Sequence, residues 1–162
     1  MHWASTPRSN LSSRTAARSL IVFLYAAMST KTNAFTIRIQ GSGVPSVNQE
    51  YEWKPPTIIP KGFARVCIQN QWNVESTWER LNGGRNWLHA PNDAYIYLNS
   101  MDNHWWVDEP GGNGVFIAPE SSTQLLASQV LGEKSSVFAP PDKGWKTLSG
   151  GIEALPKVEV IQ

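Results

Sequence analysis

Between Ala94 and Pro119 the chain reads AYIYLNSMDNHWWVDEPGGNGVFIAP, three short alternating runs joined by two polar turns, Ser100–Asn103 and Pro110–Gly114. Residues in a strand alternate faces, and turn length sets which residues meet across the pair. If Asn99 and His104 close the first turn, Leu98 lies opposite Trp105 and Ile96 opposite Val107, with Tyr97 facing Trp106 and Tyr95 facing Asp108. Closing the second turn between Glu109 and Val115 sets Ile117 across from Val107 and Phe116 across from Asp108. One face then holds Ala94, Ile96, Leu98, Trp105, Val107, Val115 and Ile117, all apolar. The other holds Tyr95, Tyr97, His104, Trp106, Asp108 and Phe116, aromatic and polar together. A register slipped by one residue loses this separation, so the split between faces is the most constraining feature of the sequence. Cross-strand aromatic pairs add roughly 0.2–1 kcal/mol each.

The rest of the chain is consistent with a β-rich body. Phe35–Gln40 alternates apolar and polar residues as a half-buried strand does, and Gly41 and Gly43 break it. Glu50–Lys54 reads as another short strand, ended by Pro55, Pro56 and Pro60, which impose an extended loop. Ala64–Gln69 alternates again and is expected as a strand with Ala64, Val66 and Ile68 inward. Val74, Trp78 and Leu81 have helical spacing, and Asn82-Gly83-Gly84 ends that segment. Trp87-Leu88 suits a strand leading into the turn at Ala90–Asp93, and Ser121–Leu131 suggests a helical turn or two. Pro140–Trp145 is a turn that delivers a Trp onto the core, and Lys157–Ile161 closes as a strand. The expected fold class is all-β or β-dominated: a small single-domain antiparallel sheet or sandwich with one or two short helical turns. A chain of 162 residues suits one domain of this kind better than two.

The first 34 residues differ from the body. Four of the 14 Lys and Arg (Arg8, Arg14, Arg18 and Lys31) precede Phe35, and no acidic residue occurs before Glu50. The apolar run Leu20–Met28 follows, and then Thr32-Asn33-Ala34 offers small residues before a cleavage site. Residues 1–34 are therefore expected to be a targeting leader and 35–162 a single β-rich domain. A secretory signal peptide fits best, which implies the secretory pathway or the extracellular space. A mitochondrial presequence shares the Arg, the Ser and the missing acids. The Ala34-Phe35 junction resembles the cleavage site of bipartite plastid leaders. The apolar run is too short to span a membrane, which takes ~20 residues, so no membrane span is expected in the mature chain. The sole glycosylation sequon, Asn10-Leu11-Ser12, falls in the leader.

From Phe35 onward ten bases face 13 acids, a mildly acidic balance. Nucleic-acid binders carry a basic patch or stripe, so nucleic acid is not an expected partner. Cys67 is the single cysteine, which excludes an intrachain disulfide. Stability must then come from packing, and seven of the eight Trp lie in the body to supply it.

Several short motifs carry a family resemblance. Gly41-Ser-Gly-Val-Pro-Ser-Val-Asn-Gln-Glu-Tyr51, Trp105-Trp106-Val107, Pro140–Trp145 and Pro156–Val158 together resemble a small uncharacterised module of algal and other protist proteins. That module opens Gly-x-Gly-x-Pro-x-Val-Asn-Gly-x-Tyr and closes Pro-Pro-x-x-Gly-Trp. Gln49 stands here where the module has Gly. The resemblance implies a domain spanning about Thr36 to Val160 and brings no activity with it.

No nucleophile elbow, P-loop, His-Glu-x-x-His or dinucleotide fingerprint occurs. His104 and Asp108 share a strand face, yet at ~3.3 Å per residue they stand roughly 13 Å apart, too far to ligate one metal. Glu50/Glu52 and Asp108/Glu109 do not select the opposed carboxylates that a glycosidase needs. No catalytic residue, metal site or cofactor is assigned. The expected function is a non-catalytic binding domain that recognises a glycan or a protein partner through Tyr95, Tyr97, His104, Trp106, Asp108 and Phe116. The alternative is a structural accessory subunit of a larger assembly, such as one in a plastid or other organelle, and a hydrolase is a third reading. On the plainest account a second layer, such as the segments at Phe35–Gln40 and Ala64–Gln69, covers the aromatic face and makes it core.

Overall fold

The computed structural model describes residues 35–120, 139–148, 150, 152 and 154–161. The expected leader (1–34) and the helical turn expected in Ser121–Leu131 lie outside the described residues. Eight strands form one antiparallel sheet: β1 (Thr36–Gln40), β2 (Glu50–Lys54), β3 (Trp87–His89), β4 (Tyr95–Asn99), β5 (His104–Asp108), β6 (Gly114–Pro119), β7 (Lys146–Thr147) and β8 (Lys157–Ile161). The order β7-β6-β5-β4-β3-β2-β1-β8 is a seven-strand meander with the last strand returning to the far side of β1. The sheet curls as a half-barrel, and the β-dominated class read from the sequence is what the chain adopts.

The central register follows from the side chains. Between β4 and β5 the pairs are Tyr95–Asp108, Ile96–Val107, Tyr97–Trp106, Leu98–Trp105 and Asn99–His104, as the alternation requires. Ile96 and Leu98 on one strand, with Trp105 and Val107 on the next, then share the inner face and are fully buried. Ile37, Ile39, Leu88 and Val158 extend that layer across β1, β3 and β8, and Val47 and Trp145 close over it. The Trp145 indole donates to the Pro141 carbonyl at 2.9 Å, so the turn does deliver its Trp to the core.

The β5–β6 pairing corrects the expected register. Val107 pairs with Phe116 and Asp108 with Gly114, so Val115 is an extra residue in a bulge. Both Val115 and Phe116 turn to the inner core, and Ile117 moves to the outer face opposite Trp106. Fully burying a large apolar side chain contributes about 1.5–3 kcal/mol. The bulge seals the larger Phe116 ring and leaves the smaller Ile117 half-buried. Alternation alone cannot anticipate a bulge, because an inserted residue reverses parity downstream.

The outer face is covered by two helices, α1 (Lys61–Gln69) and α2 (Val74–Asn82). The strand expected at Ala64–Gln69 is thus helical. Phe63 and Cys67, four apart, are buried against the sheet, while Ile68 is 68 % exposed. The apparent alternation of Ala64, Val66 and Ile68 is coincidental beside that helical stripe. In α2 the expected spacing holds: Val74, Trp78 and Leu81 all pack on the outer-face cluster. Asn73 caps its first turn by accepting from the Ser76 N–H at 2.9 Å, and Gly83 ends it at φ 62°.

Two glycines seat α1. A Cβ on Gly112, at φ 91°, would lie 2.5 Å from the Gly62 carbonyl oxygen, and one on Gly62 would lie 2.7 Å from the Pro110 carbonyl oxygen. The first turn of the helix therefore rests backbone to backbone on the β5–β6 turn. An ion pair adds a second tie, as Lys61 Nζ reaches both Asp93 carboxylate oxygens at 3.1 Å.

Candidate functional site

The six residues singled out in the sequence fall into three environments. Phe116 belongs to the inner core and takes no part in the outer face. Tyr95, Tyr97 and Asp108 are on the outer face and are buried beneath α1 and α2. His104 and Trp106 are on the same face and stay partly open.

The covered part is an aromatic cluster. Trp78 of α2 meets Phe63, Trp87 and Tyr97 at centroid distances of 4.9, 5.9 and 5.5 Å, and Trp87 lies edge-on to Tyr95. Such tilted and edge-on arrangements are the favoured ones for aromatic rings. Asp108, 4 % exposed, is buried beside them. Burial pushes its carboxyl up to about 7, and the Tyr95 hydroxyl facing it opposes that rise. That hydroxyl and Asp108 Oδ1 stop short of a well-formed hydrogen bond, and neither has another partner among the described residues. Burial first, and the nearby Asp108 charge second, raise the Tyr95 and Tyr97 hydroxyls far above the usual phenol range.

The open part begins at Trp106, which packs on the edge of that cluster and is only half-buried. A row runs across four strands through the paired residues Tyr97, Trp106, Ile117 and Lys146. Along it burial falls from Tyr97, 4 % exposed, through the half-buried Trp106 and Ile117, to the exposed Lys146. Trp106 is held by its surroundings. Its indole N–H donates to Asp102 Oδ2 at 3.0 Å, and a Cβ on Gly114 would meet its ring carbons at 2.8 Å. The bare Gly114 backbone thus lets the indole lie close along β6. Asp102 also accepts the His104 backbone N–H at Oδ1, 3.0 Å away, and its carbonyl lies 2.6 Å from His104 Nδ1. One turn residue therefore orients both open side chains of β5.

Asp102, Ile117 and Lys146 complete this patch and were not among the site residues expected from the sequence, which put Ile117 on the inner face. An Asp in the turn preceding the His-x-Trp strand was a legible cue for the first. The other two depended on the bulge and on a two-residue strand. Chemically the patch offers a fixed ring surface, an aliphatic neighbour, one imidazole, one carboxylate and one ammonium group. Among the described residues no three His, Cys, Asp or Glu side chains gather as a metal site would require, and no helix is long and apolar enough to cross a membrane. Compared with known proteins, the chain matches no family model, no curated protein and no solved structure.

Proposed function

We propose that this chain is a non-catalytic binding domain that recognises a glycan or a protein partner through the open end of its aromatic face. The observation that carries the reading is the half-covered Trp106, fixed by Asp102 and Gly114 at the margin of the helical layer. A preordered ring loses little conformational freedom on binding, and Trp is enriched among residues that dominate interface energetics. His104, Asp102 and Lys146 supply the polar contacts that orient a sugar or a peptide over it. On this proposal the leader directs the domain to the secretory pathway, and the domain is one of the algal and protist modules that its motifs resemble.

The test is a titration of the full chain with a panel of oligosaccharides and candidate partner proteins, following the Trp106 indole resonance. The reading predicts a saturable shift that Trp106→Ala removes while the fold persists. Equal binding by the alanine variant would overturn it. A second reading, an accessory subunit of a larger assembly, is favoured by one feature. Ile68 and Trp72 stand 68 % and 54 % exposed around the end of α1, and paired exposed apolar side chains often mark a protein contact. Under that reading Trp72→Ala, and not Trp106→Ala, abolishes assembly.

A further inference from the structure

Among the described residues the sheet ends at β7 and β8, each paired on one side only. β7 is two residues long, whereas β8 offers five, Lys157–Ile161. Which backbone groups of β8 point outward follows from β1. The Ile39 N–H donates to the Gln49 carbonyl at 2.9 Å, so Ile39 directs its polar groups toward β2. Successive residues of a strand direct theirs to opposite sides. Thr36, Arg38 and Gln40 therefore turn toward β8 and meet Ile161, Glu159 and Lys157. Val158 and Val160 then send their N–H and C=O groups away from β1, and such an edge is a template for another strand.

The side chains select the partner. Val158 is buried and Val160 half-buried on the inner face, while Lys157 and Glu159 are exposed on the outer face. Charge alternates along the outer face from β2 to β8. Glu50 lies opposite Arg38, carboxylate to guanidinium at 2.6 Å, and Arg38 lies opposite Glu159. Glu159 Oε1 also accepts from Gln40 Nε2 at 2.8 Å. The Lys157 ammonium, by contrast, has no hydrogen bond or ion pair among the described residues. The edge thus ends in one acid and one base, two residues apart, on either side of an outward-facing valine backbone.

We propose that β8 pairs antiparallel with β8 of a second copy of this chain, Val158 against Val158, so that Lys157 of each copy faces Glu159 of the other. In that register the two Val158 residues exchange their N–H and C=O groups, and the valines share one inner face. The row Glu50, Arg38, Glu159 continues into Lys157 of the second copy with its alternation of sign unbroken. Other centres of symmetry in the strand lose this match. A centre at Lys157 or Glu159 sets that residue against itself, and like charges directly opposite are destabilising. A centre at Val160 sets Glu159 against Ile161. The strand is therefore complementary in charge to itself in one register, and this surface shares no residue with the Trp106 patch.

The test is sedimentation of the full chain over a range of concentrations, with amide exchange followed in parallel. The wild type should pass reversibly from monomer to dimer, and the Val158 and Val160 amides should exchange more slowly as the dimer forms. Lys157→Glu and Glu159→Lys should each weaken the dimer by about tenfold or more. The two changes combined should restore it, because the facing charges then match again. Both side chains are exposed, so all three variants should keep the fold. Trp106→Ala and Trp72→Ala should leave dimerisation unchanged, which separates this edge from the patch and from the end of α1. A chain that stays monomeric would overturn the proposal. So would single variants that dimerise as well as the wild type, or a combined variant as weak as either alone. Loss of the dimer in Trp106→Ala or Trp72→Ala would place the interface elsewhere and count equally against it.

Discussion

The two faces of the central meander are built from different kinds of side chain. The inner face is largely aliphatic: Ile37, Ile96, Leu98 and Val107 carry no polar atom that needs a partner. Most polar tips that occur there are satisfied: the Tyr51 hydroxyl donates to the Val47 carbonyl at 2.8 Å and the Trp145 indole to the Pro141 carbonyl at 2.9 Å, whereas the Trp53 indole at its edge has no partner among the described residues. The outer face is aromatic, and nearly every ring brings a polar tip or sits beside one. The Pro55–Pro60 loop satisfies the Trp78 and Trp87 indoles, while Tyr95 and Asp108 stay imperfectly paired. Trp106, packed against the same cluster, stays half-buried. A face of hydrocarbon can be sealed without regard to direction, whereas a face of Tyr, Trp and Asp is sealed only where partners can be arranged. That difference makes the inner face the source of stability and, on the proposed function, the margin of the outer face the place for contact.

The sharpest way to break this comparison is to truncate one residue on each side of the same strand. Trp105, fully buried on the inner face, should cost roughly 3–5 kcal/mol as Trp105→Ala, read as a lowered urea midpoint. A loss below about 1 kcal/mol would mean that the inner face is not the main core. Next in size is the seat of α1. Gly112→Ala places a methyl against the Gly62 carbonyl at a positive φ and should cost roughly 2–3 kcal/mol. Gly150→Ala is the control, with nothing within 4 Å of its new methyl, and should be close to neutral. If both variants melt alike, the glycine contact does not hold the helical layer.

The inner face was legible because alternation over β4 and β5 is a local signal, and the Leu98–Trp105 and Ile96–Val107 pairs follow from it directly. The two departures have separate physical causes. Ala64, Val66 and Ile68 mimic a strand, but the residues that decide the matter are Phe63 and Cys67, whose spacing serves a helix laid on the sheet. The value of that stripe depends on a surface formed by Tyr95 and Tyr97, some 30 residues away in sequence. Phe116 was displaced by a bulge, a two-against-one pairing that no pattern within β6 reveals. The candidate site was half legible for the same reason. Trp106 and His104 sit in the strand that was read correctly, whereas Lys146 and the end of the helical cover are set by tertiary packing.

Asp108 tests the covered part of the outer face. Its carboxyl titrates near 7 when folded, well above an unfolded aspartate near 3.9. Between those values the folded chain holds a proton that the unfolded chain has lost. Stability from this group is therefore full below about pH 4 and declines as pH rises toward 7, by up to ~1.4 kcal/mol per unit. Asp108→Asn, which keeps the shape without the charge, should flatten that slope in denaturation curves recorded from pH 5 to 8. An unchanged slope would show that Asp108 is hydrated and that the helices do not seal this face.

The smallest effect on stability should come from Trp106, and it is the one that decides function. The ring is half-buried, so Trp106→Ala should cost roughly 1 kcal/mol, far less than its neighbour Trp105. Binding at the patch should nevertheless fall by about tenfold or more, the usual weight of a central aromatic anchor. Trp106→Phe separates the two contributions of the indole. It keeps a flat ring over Gly114 but removes the N–H that donates to Asp102, so Asp102 and His104 lose part of their alignment. An intermediate loss in the Phe variant means that ring surface and the orientation of Asp102 both contribute. A loss as complete as that of alanine places the weight on the Asp102 contact. If instead Trp106→Ala unfolds the chain as readily as Trp105→Ala, the outer face is core from edge to edge and the contrast between the two sides of β5 disappears.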